Sequence, residues 1–530
     1  MSFWQQHLVI APVVLPLATG ALLLLFDERR HALKAVVNLA STLTLVGVAI
    51  ALLRLTDTSV VQVYALGNWP APFGIVLVAD RLSAVMVLLA SVLTLAALLF
   101  SLARWHRAGP RFHALIQFLL MGLNGAFLTG DLFNLFVFFE LLLAASYGLA
   151  LHGSGTVRVR AGLHYIAINV SASLLFLIGA SLIYAVTGTL NMADLAARIP
   201  EVAAGDRVLL EAGAAILGIA FLIKAGMWPL CFWLPTTYAA ASAPAAALFA
   251  ILSKVGVYAV LRLWLLLFGD GSGASAGFGE YWLVVGGMVT LVFGLIGVLA
   301  SQELSRLAGF SLLVSSGTLL AVIGTGDSAV TGAALYYLIV STLGISAFYL
   351  LIELVERGRG PGADVLAVTA EAFGDIDDED ELDPHEEVGF AIPATMAFLG
   401  LSFACCALVI AGLPPMPGFV GKFVLLSALL DPNPIPQAAW AMLVLLTLSG
   451  LAAIITMSRI GIRIFWASDA RSVPRVRVIE MAPVVLLLSL CAVLTLQAGP
   501  AMRYLQDTAD SLHAPRAYID NVLSPALSPR

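Results

Sequence analysis

The sequence predicts an all-α, polytopic membrane protein with about 14 transmembrane helices, and three observations carry that prediction. Of 530 residues, 60% are hydrophobic and only 11% are charged, with a mean hydropathy of +0.98, far from the composition of a soluble domain. Apolar runs of about 20 residues, each long enough to cross a hydrocarbon core as a helix, recur from end to end. The runs are continuously apolar and rich in Leu, Ala and Val, which excludes the roughly 9–11-residue alternating strands of a membrane barrel.

Segments 1 to 3 cover 3–26, 32–54 and 77–100. The first lacks a basic leader and a small-residue cleavage site, so it is expected to be a retained helix. Segments 4 to 8 cover 112–130, 132–151, 162–187, 209–231 and 243–268, and segments 9 to 13 cover 281–301, 304–325, 329–355, 391–430 and 435–464. Segment 14 covers 478–499. The expected organisation is a three-helix unit (1–111), two five-segment units (112–268 and 281–464) and a C-terminal helix with a tail (465–530).

Basic residues test the segment count, because one missed span would scramble their alternation. Arg29, Arg30 and Lys34 lie in the first loop, Arg104, Arg107 and Arg111 in the third, and Arg158 and Arg160 in the fifth. Arg306 follows in the ninth, Arg357 and Arg359 in the eleventh, and Arg459, Arg463, Arg471, Arg475 and Arg477 before the last helix. Even-numbered loops are nearly free of them, Arg198 and Arg207 excepted, so both termini are expected to face away from the cytoplasm of a bacterial inner membrane. The net charge of −6 is concentrated in Asp375 to Asp383 with Glu386 and Glu387, inside the 356–390 loop, which reads as a solvated linker, with a contact for a partner subunit or an attractor for cations as the alternatives. The four cysteines, Cys231, Cys405, Cys406 and Cys491, show no metal or redox spacing and are expected to be packing residues; no cofactor is implied.

Four charges interrupt the apolar interior: Glu140 in segment 5, Lys224 in segment 7, Lys254 in segment 8 and Lys422 in segment 12. A charge at bilayer depth costs about 2.5–3.5 kcal/mol on insertion scales, so such residues point to proton or cation handling. Two of the lysines lie beside helix breakers. Gly226, Pro229 and Pro235 follow Lys224, while Gly412, Pro414, Pro415, Pro417, Gly418 and Gly421 precede Lys422. Proline removes a backbone donor and ends or kinks a helix, so segments 7 and 12 are expected to break into half-helices around hydrated sites. Their spacing of five segments predicts two inverted repeats, segments 4–8 and 9–13, with Lys422 at the place matching Lys224.

This constellation resembles the proton-translocating, antiporter-like subunits shared by complex I and the multisubunit cation/proton antiporters. FVFFELLLAASYG around Glu140, GTLNMADLA at 188–196 and ADRLSAVM at 79–86 are most similar to the D-subunit family of Mrp (also Pha or Mnh) antiporters. The resemblance implies 14 helices, a complex with a large A subunit and several small membrane subunits, and exchange of Na⁺ or K⁺ for H⁺. It also implies a titratable residue on segment 11, where this chain instead carries Val340 and Ile345.

On helices that the resemblance implies are neighbours, Glu140 and Lys224 are expected to form an ion pair worth about 4 kcal/mol at about 4 Å and an effective dielectric near 20. That is comparable to the roughly 2.3 kcal/mol one charge gains from 100 mV, so making and breaking the pair can gate a proton. Lys254 and Lys422 continue the relay, which without a titratable group on segment 11 is either bridged by water that Ser315, Ser316, Tyr336, Tyr337 or Ser341 orders, or divided into two halves that do not exchange protons. His152 and His164 are candidate proton feeders to Glu140 from the cytoplasmic side. Asp80 and Arg81 are expected near the outer face, as an interfacial anchor or ion pair or as a cation entry site, and Arg262, Glu303 and Glu353 to snorkel from helix ends. Two further function classes fit the same residues: a proton-pumping subunit of a respiratory NADH dehydrogenase-like or membrane-bound hydrogenase complex, and a scaffold that holds an active partner.

Overall fold

The structure, a computed structural model, describes residues 7–58, 61–357, 394–465 and 476–524. The acidic run, Arg359, Arg471 and Arg475 lie outside the described residues. In chain order the helices begin with α1 (Ala11–Leu25), α2 (His31–Thr58), α3 (Arg81–Ser101), α4 (Phe112–Leu128), α5 (Leu132–Ala150) and α6 (Thr156–Thr187). There follow α7 (Met192–Arg198), α8 (Ala204–Ala225), α9 (Trp233–Ala240), α10 (Ala243–Phe268), α11 (Glu280–Ala300), α12 (Leu304–Ile323) and α13 (Ser328–Glu356). The chain closes with α14 (Ala394–Ala411), α15 (Pro417–Leu430), α16 (Gln437–Phe465), α17 (Val478–Leu496), α18 (Ala498–His513) and α19 (Arg516–Leu523). Among the described residues, 12 helices are long and apolar enough to span a membrane, and the shorter α1 and α4 complete the fourteen predicted segments.

Helices α10, α12 and α13 are buried along nearly their whole length and form the axis of the molecule, while α2, α11, α14, α16 and α17 bury one side only. Close packing of the axis depends on small residues. A Cβ on Gly256 of α10 would lie 2.4 Å from the Ala225 nitrogen, so only glycine lets α10 reach the end of α8 beside Lys254.

Both broken segments appear where glycine and proline placed them. Helix α8 stops at Gly226 (φ +78) and α14 at Gly412 (φ +77), and each glycine is followed three residues later by proline, Pro229 and Pro415. At both stops the amide after the glycine reaches back to the last turn: Met227 N donates to the Leu222 carbonyl (2.9 Å) and Leu413 N to the Leu408 carbonyl (3.0 Å). These are left-handed C-caps, which a β-carbon would disfavour.

Three features depart from the sequence expectation. A two-stranded antiparallel hairpin, β1 (Gln62–Ala65) with β2 (Val76–Ala79), precedes α3, so residues 77–79 are strand and not helix. Helix α3 starts at Arg81 because Asp80 caps it: the Asp80 carboxylate accepts from Ser83 N, and Ser83 Oγ accepts from Asp80 N. The tail carries two amphipathic helices, α18 and α19, that fold back onto the bundle.

The ends of the bundle are chemically distinct. At one end, Glu353 binds Arg104, Arg357 and Trp105 Nε1, Arg357 binds Glu480, and Arg477 donates to the Ala103 carbonyl, so the third, eleventh and thirteenth basic loops meet. Glu353 is therefore a clamp between loops. Glu303, by contrast, is an exposed partner of Arg306. At the other end, Arg81 bridges Asp57 and Asp507, and Ser328 binds Asp510. Arg262 does not snorkel: it makes a buried, two-pronged pair with Asp80 (2.5 and 2.7 Å) under the Tyr518 ring.

Removing one partner of a buried pair strands a charge. Asp80→Ala and Arg262→Ala should each lower stability by about 3–5 kcal/mol, seen as a lower melting temperature of the purified protein, while Asp80→Leu with Arg262→Met recovers most of it.

Candidate functional site

The four interior charges fall into three clusters along the bundle. Lys224 occupies the last turn of α8, just before the Gly226 stop, where the carbonyl end of the helix favours a cation. Its amine donates to Asn169 Oδ1 (3.4 Å) and stands 5.2 Å from the centre of the Phe139 ring. Four residues further along α6, Ser173 donates to the Glu140 carboxylate. Among the described ion pairs none joins Glu140 to Lys224. The expected direct pair is replaced by a linked one, Glu140–Ser173 and Asn169–Lys224, with the two bridging side chains one turn apart on the same face of α6.

Asn169 is held in turn, since its Nδ2 donates to the Tyr165 carbonyl (2.9 Å) and the Tyr165 hydroxyl shares a 2.6 Å bond with Ser146. A cavity of about 30 Å³ touches Lys224, Asn169, Tyr165 and Trp233, enough for at least one water. Asn169 and Ser173 escaped sequence reasoning because uncharged polar residues are ordinary in a long helix; their signal was the i, i+4 spacing on one face.

Lys254 is fully buried in α10 and donates to Ser315 (2.8 Å) and Ser316 (3.3 Å) of α12. Ser315 then donates to Ser341 of α13 (2.9 Å), and Ser341 to the Leu338 carbonyl. A cavity of about 20 Å³ follows, lined by Ser315, Tyr337, Ser341, Val409, Gly418 and Ser449, which carries the polar track to the α14–α15 break. Val340 and Ile345, at the expected place of a titratable side chain, line the same cavity. Tyr336 points elsewhere, donating to the Leu494 carbonyl of α17 (3.0 Å).

Lys422 stands on the other side of its break from Lys224. Lys224 precedes its glycine stop, whereas Lys422 follows Gly412 and lies in the second half-helix, α15. Its amine nevertheless turns back to the Ala411 carbonyl (2.9 Å), the last residue of α14. Both lysines therefore sit at the carbonyl end of a first half-helix, one within it and one reaching it from beyond the break.

Neither histidine reaches Glu140. His164 is exposed on α6, with Nδ1 against the Arg160 carbonyl (3.2 Å). His152 is buried after α5, with Nε2 2.7 Å from the Trp105 carbonyl and its ring on Phe112.

With this geometry in place, its likeness to known proteins is informative. The family model described as "NADH:quinone oxidoreductase/Mrp antiporter, TM" matches residues 129–455. The chain belongs to that family. It is 60% identical to the D subunit of a probable K(+)/H(+) antiporter from Rhizobium meliloti (strain 1021), over 99% of each chain. It is 34% identical to the D subunit of the Na(+)/H(+) antiporter from Alkalihalophilus pseudofirmus, over 98% of this chain and 100% of the relative. A chain of the Mrp complex structure from Dietzia sp. DQ12-45-1b superposes with a TM-score of 0.84 at 25% identity, covering 98% of this chain and 100% of that one. The match spans both broken helices and all four interior charges, so the membrane-spanning, antiporter-family character of the chain stands on sequence and fold together.

Burial holds the His152 imidazole below its ordinary value, so the folded state resists its protonation while the unfolded chain takes up a proton near pH 6.5. The folded state then binds fewer protons, and stability should fall as pH drops below about 6.5. His152→Gln should flatten that dependence, read from melting temperatures between about pH 5 and 8.

Proposed function

We propose that the chain is the proton-translocating D-type subunit of a multisubunit cation/proton antiporter, a secondary transporter component and not an enzyme in the ordinary sense. The observation that carries this reading is the polar track through the apolar core. Ser173 and Asn169 lie between Glu140 and Lys224, one small cavity opens beside Lys224, and Ser315 and Ser341 lead from Lys254 to a second cavity at the α14–α15 break. Every lysine on it is held by neutral acceptors, which accommodate the amine whether it is charged or neutral. An arginine in the same places would stay charged.

In this mechanism Glu140 and Lys224 are coupled through Asn169 and Ser173, and a shift of α6 against α8 strengthens or weakens their attraction. Lys254 exchanges protons with the Lys224 region through water. Ser315, Ser341 and the cavity beyond them replace a titratable group on α13 and deliver protons to Lys422. The partners are a large A subunit and small membrane subunits, in a bacterial plasma membrane with the basic loops cytoplasmic and both termini outside. Segments 4–8 and 9–13 act as inverted repeats, supported by the matching Gly-x-x-Pro stops of α8 and α14. Potassium is the first cation to test, because the 60% identical relative is named for K⁺. A redox-driven pump would use the same residues, but the antiporter relatives match the full length of the chain at higher identity.

The test is exchange in everted vesicles carrying the whole operon, with K⁺, Na⁺ and Li⁺ compared. Glu140→Ala and Lys224→Ala should abolish exchange while the complex still assembles, and Lys254→Ala and Lys422→Ala should impair it. Lys422→Arg should impair exchange as well, because arginine holds its proton. Asn169→Leu should lower exchange roughly tenfold or more, since a hydrogen bond to a charged group is worth about 1.5–3 kcal/mol. Wild-type rates in Lys224→Ala would reduce the chain to a scaffold.

A further inference from the structure

A second polar column runs through the interface of α1, α2 and α4, apart from the lysine track. On α4, His113, Gln117 and Asn124 lie on one face at spacings of four and seven residues, and all three are at most 3% exposed. His113 and Gln117 face Asn38 and Thr42 of α2, also fully buried. Asn38 Nδ2 lies 2.9 Å from His113 Nδ1, and Gln117 Nε2 donates to Asn38 Oδ1 (2.6 Å) and Thr42 Oγ1 (3.2 Å). Deeper in, Asn124 Nδ2 donates to the Pro12 carbonyl of α1 (2.9 Å), which has no helical donor because residue 16 is proline.

The column is not closed on itself. Gln117 Oε1, His113 Nε2, His106 Nδ1 and Asn124 Oδ1 are buried without a hydrogen-bond partner among the protein atoms. Each such atom loses its hydration with nothing in return if it stays dry, and a structural network would be expected to satisfy its members. With Asn38 donating to Nδ1, the neutral His113 ring carries its proton on Nε2 and presents a donor where no protein acceptor stands.

At the basic end the column meets a histidine cluster. The His106 ring lies 6.0 Å from His31 and 5.5 Å from His113. A cavity of about 10 Å³ beside them is bounded by Glu28, Lys34 and Arg111, with room for about one water. Glu28 and Arg111 are exposed, His31 is half-exposed, Lys34 pairs with Glu28 (2.8 Å) and Arg107 donates to His106 (3.1 Å). From His113 to Asn124 the column descends about 16 Å, roughly half the hydrocarbon thickness.

We propose that the α1/α2/α4 interface holds a file of buried water that opens through His31, His106 and His113 and admits protons from the basic face to the level of Asn124. Water bonded to the four orphan atoms completes the network, with His113 Nε2–H as a donor and the Gln117 and Asn124 carbonyl oxygens as acceptors along it. The file is separate from Glu140 and the lysines, so it stands or falls independently of the relay.

Accessibility tests it directly. In the assembled complex, with Cys231, Cys405, Cys406 and Cys491 replaced by alanine, Thr42→Cys is exposed to Ag⁺ at the basic face and compared with Leu120→Cys. Leu120 is fully buried on α4 among apolar neighbours. Thr42→Cys should react several-fold faster; equal, slow reaction at both positions overturns the file. Asn124→Asp supplies a proton readout, because its carboxylic C=O infrared band should titrate reversibly with pH at the basic face. A band that does not respond while the complex is assembled would show that protons do not travel the column.

Discussion

The controlling constraint is the cost of an ionised group in a medium that cannot solvate it. At bilayer depth each charge must find polar partners within the protein or give up its proton. The chain meets that requirement in two ways. Arg262 is locked to Asp80 by a two-pronged ion pair, which fixes both charges and ties α3 to α10. Lys224, Lys254 and Lys422 are instead held by an amide oxygen, two hydroxyls and a backbone carbonyl. Among the described ion pairs, none includes any of the three. Neutral acceptors tolerate a change of protonation that a carboxylate partner would oppose. That contrast separates a charge locked in an ion pair from amines held by neutral groups.

The helix breaks serve the same end. A glycine in the left-handed region stops α8 and α14 inside the bundle, and each stop leaves a carbonyl end near the middle of the protein. Lys224 and Lys422 exploit that negative end by different routes, one from the turn before the stop and one from the half-helix after it. The breaks also interrupt side-chain packing, and the two small cavities on the lysine track touch α8, α14 or α15.

Much of the membrane architecture was legible in the chain because hydropathy is an additive property. A run of twenty apolar residues is a spanning helix almost regardless of its neighbours; twelve of the fourteen segments appear as helices long enough to span and the first and fourth as shorter apolar helices. Basic loops stood out for the same reason, and Arg104, Arg357 and Arg477, from three of them, meet at one end of the bundle. The hairpin before α3 was missed because its apolar residues, Val76 to Ala79, read as continuous with the helix. The tail helices were missed because their mean hydropathy is low and only their one-sided pattern marks them.

The sequence by itself determined which residues would be unusual: four ionisable side chains in apolar runs, two of them beside glycine and proline stops. Those are properties of single segments, set by side-chain chemistry and local backbone rules. Only the tertiary structure decided what each one touches. That Glu140 reaches Lys224 through Ser173 and Asn169, that Lys254 meets Ser315 across the axis, and that Lys422 folds back to Ala411 depend on the relative rotation of packed helices. Rotation is fixed by the collective fit of apolar surfaces, so no individual segment encodes it.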